Sequence, residues 1–323
     1  MKNSFVAFIL FGGLSLLSCE QAAAANAVFA ADDKAVFIIT DKADFPLNKI
    51  DVASGVATPI KVAMGKDDVL VGIAAADSNE LYLATQHALW RWTPGSPRAH
   101  WIEDAPKQVE LVDVTCHVPS GRVLLATKNK SKDDTHYTFY CKPERRRPML
   151  YVCIRYPPGD VLENPVFLPD GSFLFSADGD LWHGMLEETS KQLKSGGNSD
   201  FMDLYAYRYA PIADRNTQPG TPFETGISAM AVSQKKIYVH LSRMYGSGWG
   251  SVLRLNLPVQ EKGAWAHLNS SKDVVRTLSS IEEVYDMTDG GWVFLCGSSD
   301  GRRMYCDACS SCRVITDDEK LKR

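Results

Sequence analysis

The sequence predicts an all-β protein with the architecture of a β-propeller. The main observation is a short apolar strand that recurs roughly every 50 residues, each time followed by a turn and a second strand. The repeated strands are apolar on both faces, which is typical of propeller blades because each blade packs between two neighbours. A β-sandwich would leave one face of each sheet in water and would alternate more cleanly. The six copies lie at residues 36–38, 81–83, 123–125, 173–175, 237–239 and 292–294.

The residues around each copy predict four antiparallel strands per unit. In five units another apolar strand comes first, joined to the repeated strand by a polar turn such as Pro169-Asp170-Gly171, whose residue types favour hairpins. A third strand and a weaker fourth follow. We therefore predict six four-stranded blades, with seven as the alternative because residues 191–224 are long enough to hold one more. The preceding strands lie at 69–75, 109–116, 162–168, 227–232 and 281–287, and in the first unit only residues 27–31 are available for this place.

This pattern resembles the exported six-bladed propellers of the broad TolB-like and NHL-like kind. The resemblance covers nearly all of the chain after its N-terminus, but it is one of architecture. No WD dipeptide or Kelch double glycine recurs in the sequence. The resemblance therefore implies a fold, and it carries no functional residue over to this chain.

The N-terminus has the features of an export signal. Lys2 supplies a positive charge, and residues 5–17 are an apolar stretch too short to span a bilayer as a helix. The following Ser18-Cys19 resembles the end of a bacterial lipobox, in which Cys19 would carry the lipid. Cleavage after small residues near Ala27 or Ala30 is the alternative. We expect a signal peptide over 1–18, an alanine-rich tether over 19–31 and one propeller domain over 32–323, located in the cell envelope or secreted.

Two pairs among the eight cysteines flank predicted hairpin turns. Cys141 and Cys153 lie on either side of a seven-residue turn that ends in proline, and Cys296 and Cys306 flank a turn rich in glycine and serine. Cysteines that face each other across antiparallel strands approach the separation that a disulfide needs. Because export permits oxidation, we predict structural disulfides, with their connectivity open.

The C-terminal cysteines also allow a sharper interpretation. Cys306, Cys309 and Cys312 together with Cys296 supply four thiols, which is enough for zinc or an iron–sulfur cluster. Cys309 and Cys312 form a CxxC that would suit a redox pair, although the βαβ context of such motifs is absent. Exported proteins usually oxidise such cysteines, so we expect disulfides here, with no metal and no cofactor.

Two aromatic segments are candidate ligand contacts. Residues 244–251 are rich in glycine and serine, which favours a loop whose aromatic side chains would stack on a sugar or a peptide. Residues 191–224 contain alternating aromatics, typical of a strand face, and a loop there would instead form a lid over a pocket. The candidate residues are Tyr245 and Trp249 in the first segment and Tyr205, Tyr207 and Arg208 in the second.

The net charge and the motif search exclude some classes of function but do not identify one. The net charge of −4 gives no overall attraction to nucleic acid or to anionic lipid, so the lipid on the N-terminus is the expected membrane contact. No HExxH or GxSxG motif is present. The arginines at 145–147 would suit an acidic partner, or simply a solvated turn. We predict a non-enzymatic binding or scaffolding protein for a protein, peptide or glycan. The alternative is a propeller enzyme (a hydrolase, lyase or quinoprotein type) with its site at the central channel.

Overall fold

A computed structural model of the chain describes only strands and their connections, which confirms the predicted all-β class. Beyond residue 239 it describes the backbone alone. Among the described residues, no helix is long and apolar enough to cross a membrane. Those residues are 27–29, 34–40, 46–51, 53–54, 56–65, 68–77, 79–129, 137–154, 162–177, 180–192, 198–210, 225–232, 236–243, 250–256, 281–287, 292–296, 303–307 and 312–315.

The described strands are numbered in chain order. The first twelve are β1 (Ala27–Phe29), β2 (Ala35–Ile39), β3 (Leu47–Asp51), β4 (Ala57–Ile60), β5 (Leu70–Asp77), β6 (Glu80–Thr85), β7 (Ala88–Trp92), β8 (His100–Asp104), β9 (Val109–His117), β10 (Arg122–Asn129), β11 (Tyr137–Lys142) and β12 (Leu150–Cys153). The others are β13 (Leu162–Phe167), β14 (Phe173–Ala177), β15 (Asp180–Gln192), β16 (Asn198–Ala210), β17 (Thr225–Val232), β18 (Lys236–Arg243), β19 (Gly250–Asn256), β20 (Ile281–Met287), β21 (Trp292–Cys296), β22 (Arg303–Asp307) and β23 (Cys312–Ile315).

Consecutive strands pair as antiparallel meanders. Four-stranded meanders run over β1–β4, β5–β8 and β17–β20, and a three-stranded one runs over β21–β23. Between them, β9–β12 and β13–β16 are two further meanders whose last strands, β12 and β16, pair in parallel and so join them into one eight-stranded sheet. Short hairpin connections make this local pairing the expected one for such a sequence.

The first strands of successive meanders, called the inner strands from here on, form a closed ring. Strand β1 contacts β5, β5 contacts β9, β9 contacts β13, β13 contacts β17, β17 contacts β21, and β21 returns to β1. Sheets arranged radially around their first strands are the architecture of a propeller, so the predicted fold is confirmed. The number of blades in the whole chain, six with seven as the alternative, stays a prediction because parts of the chain lie outside the described residues.

Two boundaries differ from those that the sequence predicts. Strand β1 does pair with β2, so residues 27–29 supply the missing inner strand of the first unit. Strand β20, predicted as an inner strand, instead pairs with β19 as the fourth strand of its meander, and β21 is the first strand of the last one. Strands β20 and β21 follow one another and both carry apolar residues, so periodicity alone does not distinguish an inner strand from an outer one.

The core lies between adjacent sheets, as the two-sided apolar strands require. Phe139 of β11 meets Phe173 and Phe175 of β14 edge to face, with ring centroids 5.9 and 5.5 Å apart. Strands β15 and β16 are thirteen residues each and extend past their own meander as a long hairpin. Leu186 and Leu204 on this hairpin are buried in the same cluster as Phe139. Burial of each such leucine contributes about 1.5–3 kcal/mol, which holds the two meanders together.

Candidate functional site

Four of the inner strands carry a β-bulge at an equivalent place near their N-terminal ends. A bulge inserts one extra residue, bends the strand and redirects the side chains beside it. Because the bulge recurs from sheet to sheet, it belongs to the repeat and not to one loop. It lies between Leu70 and Gly72 in β5, between Leu111 and Asp113 in β9, between Glu163 and Val166 in β13, and between Ile227 and Ala229 in β17.

Carboxylic acids flank two of these bulges. Asp113 follows the bulge in β9, where Gly72 and Ala229 stand in the equivalent places. Glu163 precedes the bulge in β13, where the three other strands have leucine or isoleucine. The repeat therefore folds without an acid at either position, so the two carboxyls are not demanded by the fold.

The charge of Glu163 acts on the Asp113 carboxyl. Asp113 is 7% exposed, and its Oδ1 accepts a hydrogen bond from the backbone N–H of Val114 at 2.5 Å. Burial, and then the negative charge of Glu163, raise the pKa of Asp113 well above its usual value. Burial also raises the pKa of the half-buried Glu163. Paired carboxyls with raised pKa values retain protons that an exposed acid would lose, and such groups are typical of binding and catalytic sites.

A close approach of backbones packs β5 against this pair. A Cβ added to Gly72 would lie 3.0 Å from the backbone N of Val114 and 3.3 Å from the carbonyl carbon of Asp113. Neither atom is the end of a flexible side chain, so any larger residue would displace β9. Gly72 thus allows β5 to lie directly beside Asp113.

A second polar cluster is buried within the β13–β16 meander. His183 is 1% exposed, with Nδ1 2.8 Å from the Tyr207 hydroxyl and Nε2 2.8 Å from Ser172 Oγ. Ser172 Oγ donates its proton to Asp170, so it accepts from His183 Nε2–H, and Nδ1 in turn accepts from Tyr207. Burial lowers the pKa of His183 to about 4, so the ring is neutral near pH 7.

The histidine cluster does not have the arrangement of a hydrolase site. The proton of Ser172 points to Asp170 and not to His183, so the histidine is not placed to take it. Both Ser172 and His183 are buried, at 4% and 1% exposure. The cluster satisfies the hydrogen bonds of buried polar groups and is structural.

The predicted aromatic lid is a strand. Tyr205, Tyr207 and Arg208 lie in β16, and Tyr207 is fully buried against His183. Arg208 Nη1 is 3.0 Å from Asp180 Oδ2, with the two side chains 13% and 5% exposed. Of the two alternatives for this segment, the structure therefore has the strand, because the β15–β16 pairing continues through all three residues. Tyr245 and Trp249 lie outside the described residues.

The arginine-containing turn between β11 and β12 forms ion pairs with residues of β8 and β15. Arg147 forms a bidentate pair with Glu188 of β15 at 2.7 and 2.6 Å. At the base of the turn, Lys142 Nζ donates to Glu103 of β8 at 2.8 Å. Arg145 and Arg146 are exposed. The third arginine thus links two meanders, and the first two remain at the surface.

The predicted Cys141–Cys153 disulfide is absent from the structure. Cys141 lies opposite Leu150, so the register of β11 and β12 places Cys153 three positions further along. Burial raises the pKa of the Cys141 thiol to about 12, which makes it unreactive.

The register also separates the second predicted pair. Cys296 lies opposite Arg303, whereas Cys306 lies opposite Val293 on one side and Cys312 on the other. The backbone therefore opposes Cys306 to Cys312 and not to Cys296. Disulfides in this sheet stay a prediction, and Cys19 and Cys309 lie outside the described residues. Among the residues that are described, no three His, Cys, Asp or Glu side chains are grouped to hold a metal ion.

Comparison with known proteins agrees with the fold. No family model and no curated protein matches the chain in sequence. In structure, it is similar to regucalcin from Agrobacterium tumefaciens, a calcium-binding protein, with a TM-score of 0.57 and 13% identity over 88% of this chain and 82% of that one. The WD40 repeats of RRP9 (TM-score 0.49, 11% identity, 94% and 90% covered) and U3-55K (0.48, 10%, 94% and 91%) are also similar. At this identity the likeness to regucalcin shows the propeller fold alone.

Proposed function

We propose that the protein is an exported, lipid-anchored propeller that binds a protein, peptide or glycan, with the Asp113–Glu163 pair as part of the binding site. The observation that carries this proposal is the replacement of apolar repeat positions by two interacting carboxyls on adjacent inner strands. Inner strands surround the axis of a propeller, where ligands of this architecture commonly enter.

The chemistry of the pair suits hydrogen-bonding ligands. A protonated carboxyl donates one hydrogen bond, and an ionised one accepts several and attracts cations. Raised pKa values favour the protonated form of a carboxyl, so the pair can donate a hydrogen bond as well as accept one. Sugar hydroxyls and the amino or guanidinium groups of peptides match this combination.

Arrays of peptides and glycans would test the binding proposal directly. We expect a ligand of the wild-type protein to be lost in Glu163→Gln and in Asp113→Asn, which keep the shape and remove the acid. Glu187→Gln is the matched control, because Glu187 is an exposed acid on β15. Equal binding by all four proteins would contradict the proposed site, and no binding by any of them would contradict the proposed class of ligand.

The export proposal rests on the N-terminal sequence, in which an apolar stretch ends at Ser18-Cys19. It is tested by cell fractionation and by the intact mass of the natively expressed protein. We expect membrane association and an acylated N-terminus at Cys19, both lost in Cys19→Ala. A soluble protein beginning near residue 28 or 31 would instead indicate cleavage and secretion.

The same carboxyl pair favours an enzyme as the second candidate. Two neighbouring acids that retain protons to higher pH suit general acid–base catalysis, as in a hydrolase or a lyase. A panel of glycoside, ester and lactone substrates distinguishes the two candidates. Turnover that Glu163→Gln abolishes, while substrate binding persists, would establish the enzyme.

A further inference from the structure

Asn164 has an unusual backbone conformation beside the carboxyl pair. Its φ of 52° makes it the one non-glycine residue with positive φ in the part of the chain that the structure describes. Asparagine tolerates this left-handed conformation better than most residues, but it is still uncommon for a buried residue within a strand. Asn164 is 8% exposed, so water does not compensate its polar side chain.

The sequence explains why the bulge forms at this point. Pro165 lacks an N–H group, so it cannot contribute to the ladder between β13 and β14, and prolines within sheets are confined to edges and bulges. The Asn164-Pro165 pair therefore fixes the position of the bulge directly after Glu163.

The side chain of Asn164 connects three strands. Its Nδ2 donates to the carbonyl oxygen of Ile227 in β17 at 3.0 Å and lies 3.4 Å from Ser176 Oγ in β14. Ser176 Oγ in turn donates to the carbonyl oxygen of Glu163 at 3.1 Å. Asn164 and Ser176 thus tie the backbone of Glu163 to its own sheet and to the next inner strand.

The other inner-strand bulges lack this device. The inserted residues are Val71 in β5, Val112 in β9 and Ser228 in β17. A bulge at this place of the repeat therefore needs neither an asparagine nor a left-handed residue. The left-handed asparagine stands beside Glu163, the acid that replaces an apolar residue.

From this geometry we infer that Asn164 is a positioning residue, which holds Glu163 against Asp113 by fixing the bulge. The inference rests on the proposed function, in which these two carboxyls belong to the ligand site. A merely structural Asn164 would affect stability and leave the two carboxyls as they are. The test must therefore measure the titration of the two carboxyls.

Titration of the full-length protein, carrying ¹³C-labelled aspartate and glutamate and without ligand, provides that readout. Asn164→Gly keeps the left-handed conformation and removes the amide. We expect this variant to fold and to lower the pKa values of Glu163 and Asp113 toward their ordinary range by about one pH unit, because the released Glu163 gains water and moves from Asp113. Ser176→Ala removes one tie and should give a smaller change in the same direction. It also serves as the test if Asn164→Gly does not fold.

The outcomes separate the two proposals. Unchanged titration of both carboxyls in a folded Asn164→Gly protein, or in Ser176→Ala if the first variant unfolds, would overturn the positioning role. Shifted titration together with an absence of ligand binding by the wild-type protein would uphold the positioning role and contradict the proposed function. Asp51, an exposed acid whose bonds are to Ser54, is the internal control and should titrate identically in every variant.

Discussion

The His183 cluster and the Asp113–Glu163 pair both hold polar groups that are buried or half-buried, but their surroundings differ. Both ring nitrogens of His183 have partners within its own meander, and burial keeps the ring neutral. The two carboxyls lie on different inner strands, and the charge that acts on Asp113 is that of another acid. A network whose hydrogen bonds are all made stabilises the fold. Two acids that are held near each other and away from water instead indicate a role in binding or catalysis.

The largest expected effect is the loss of the histidine network. In His183→Leu, the hydroxyls of Tyr207 and Ser172 each lose the hydrogen bond to the ring inside the core, so we expect the free energy of unfolding to fall by about 2–4 kcal/mol. Tyr207→Phe removes one hydrogen bond and should cost about 1 kcal/mol. Urea unfolding measures both. If His183→Leu lowered the free energy of unfolding by less than Tyr207→Phe does, the histidine network would not stabilise the meander.

The pH dependence of stability should have opposite signs at the two sites. The pKa of His183 is about 4 in the folded state and near 6.5 in the unfolded chain. Its contribution is therefore present above pH 6.5 and is lost as the pH falls toward 4, by about 3 kcal/mol in total. The raised pKa values of Asp113 and Glu163 act the other way, since they favour the folded state in acid and cease to do so as the pH rises through them.

Unfolding measured from pH 4 to 8 in His183→Gln and Asp113→Asn separates these contributions. The first variant should lose less stability in acid than the wild type, and the second should lose more. If the free energy of unfolding depended on pH in the same way in all three proteins, the contributions assigned to His183 and to Asp113 would both be contradicted.

A smaller effect of opposite sign is expected at the carboxyl pair. Asp113→Asn keeps the acceptor for Val114 N–H and removes a buried charge, so stability at pH 7 should be unchanged or higher by about 1–2 kcal/mol. Ligand binding should be lost in the same variant. Substantial destabilisation without an effect on binding would make Asp113 a structural residue like His183.

The smallest effect is expected at the surface link between the meanders. Arg147→Gln removes the bidentate contact with Glu188, but both side chains are reached by solvent, which weakens such pairs. The thermal midpoint should hardly change in this variant. Raising the salt concentration should likewise leave the midpoint of the wild type nearly unchanged. A clear drop would show that the β15–β16 hairpin depends on this ion pair more than on Leu186 and Leu204.

The fold was predictable because each blade buries both faces of its central strands. All five residues of β14 are buried, as expected for a strand built on the apolar run at 173–175. The length of β15 and β16 was not predictable in this way, since residues 187–191 of β15 are polar and mostly exposed, so no apolar run marks this part of the hairpin. The register of the cysteine-bearing strands was not predictable, because register depends on where the turn begins, which hairpin-flanking residues alone do not determine.

The candidate site was missed because a bulge breaks the alternation that marks which face a residue occupies. A signal was nevertheless present in the sequence. Aligning the inner strands of the repeat would have shown Asp113 where Gly72 and Ala229 stand, and Glu163 where leucine or isoleucine stands. Asn164-Pro165 within an apolar strand would have indicated the bulge.

The most direct test of the central claim is calorimetric titration of the array-identified ligand into wild type, Glu163→Gln and Glu187→Gln at one pH. If the carboxyl pair is the binding site, Glu163→Gln should bind at least about tenfold more weakly, a loss of about 1.4 kcal/mol, while Glu187→Gln matches the wild type. Equal affinities in all three folded proteins would contradict the claim and leave the pair without a role in binding.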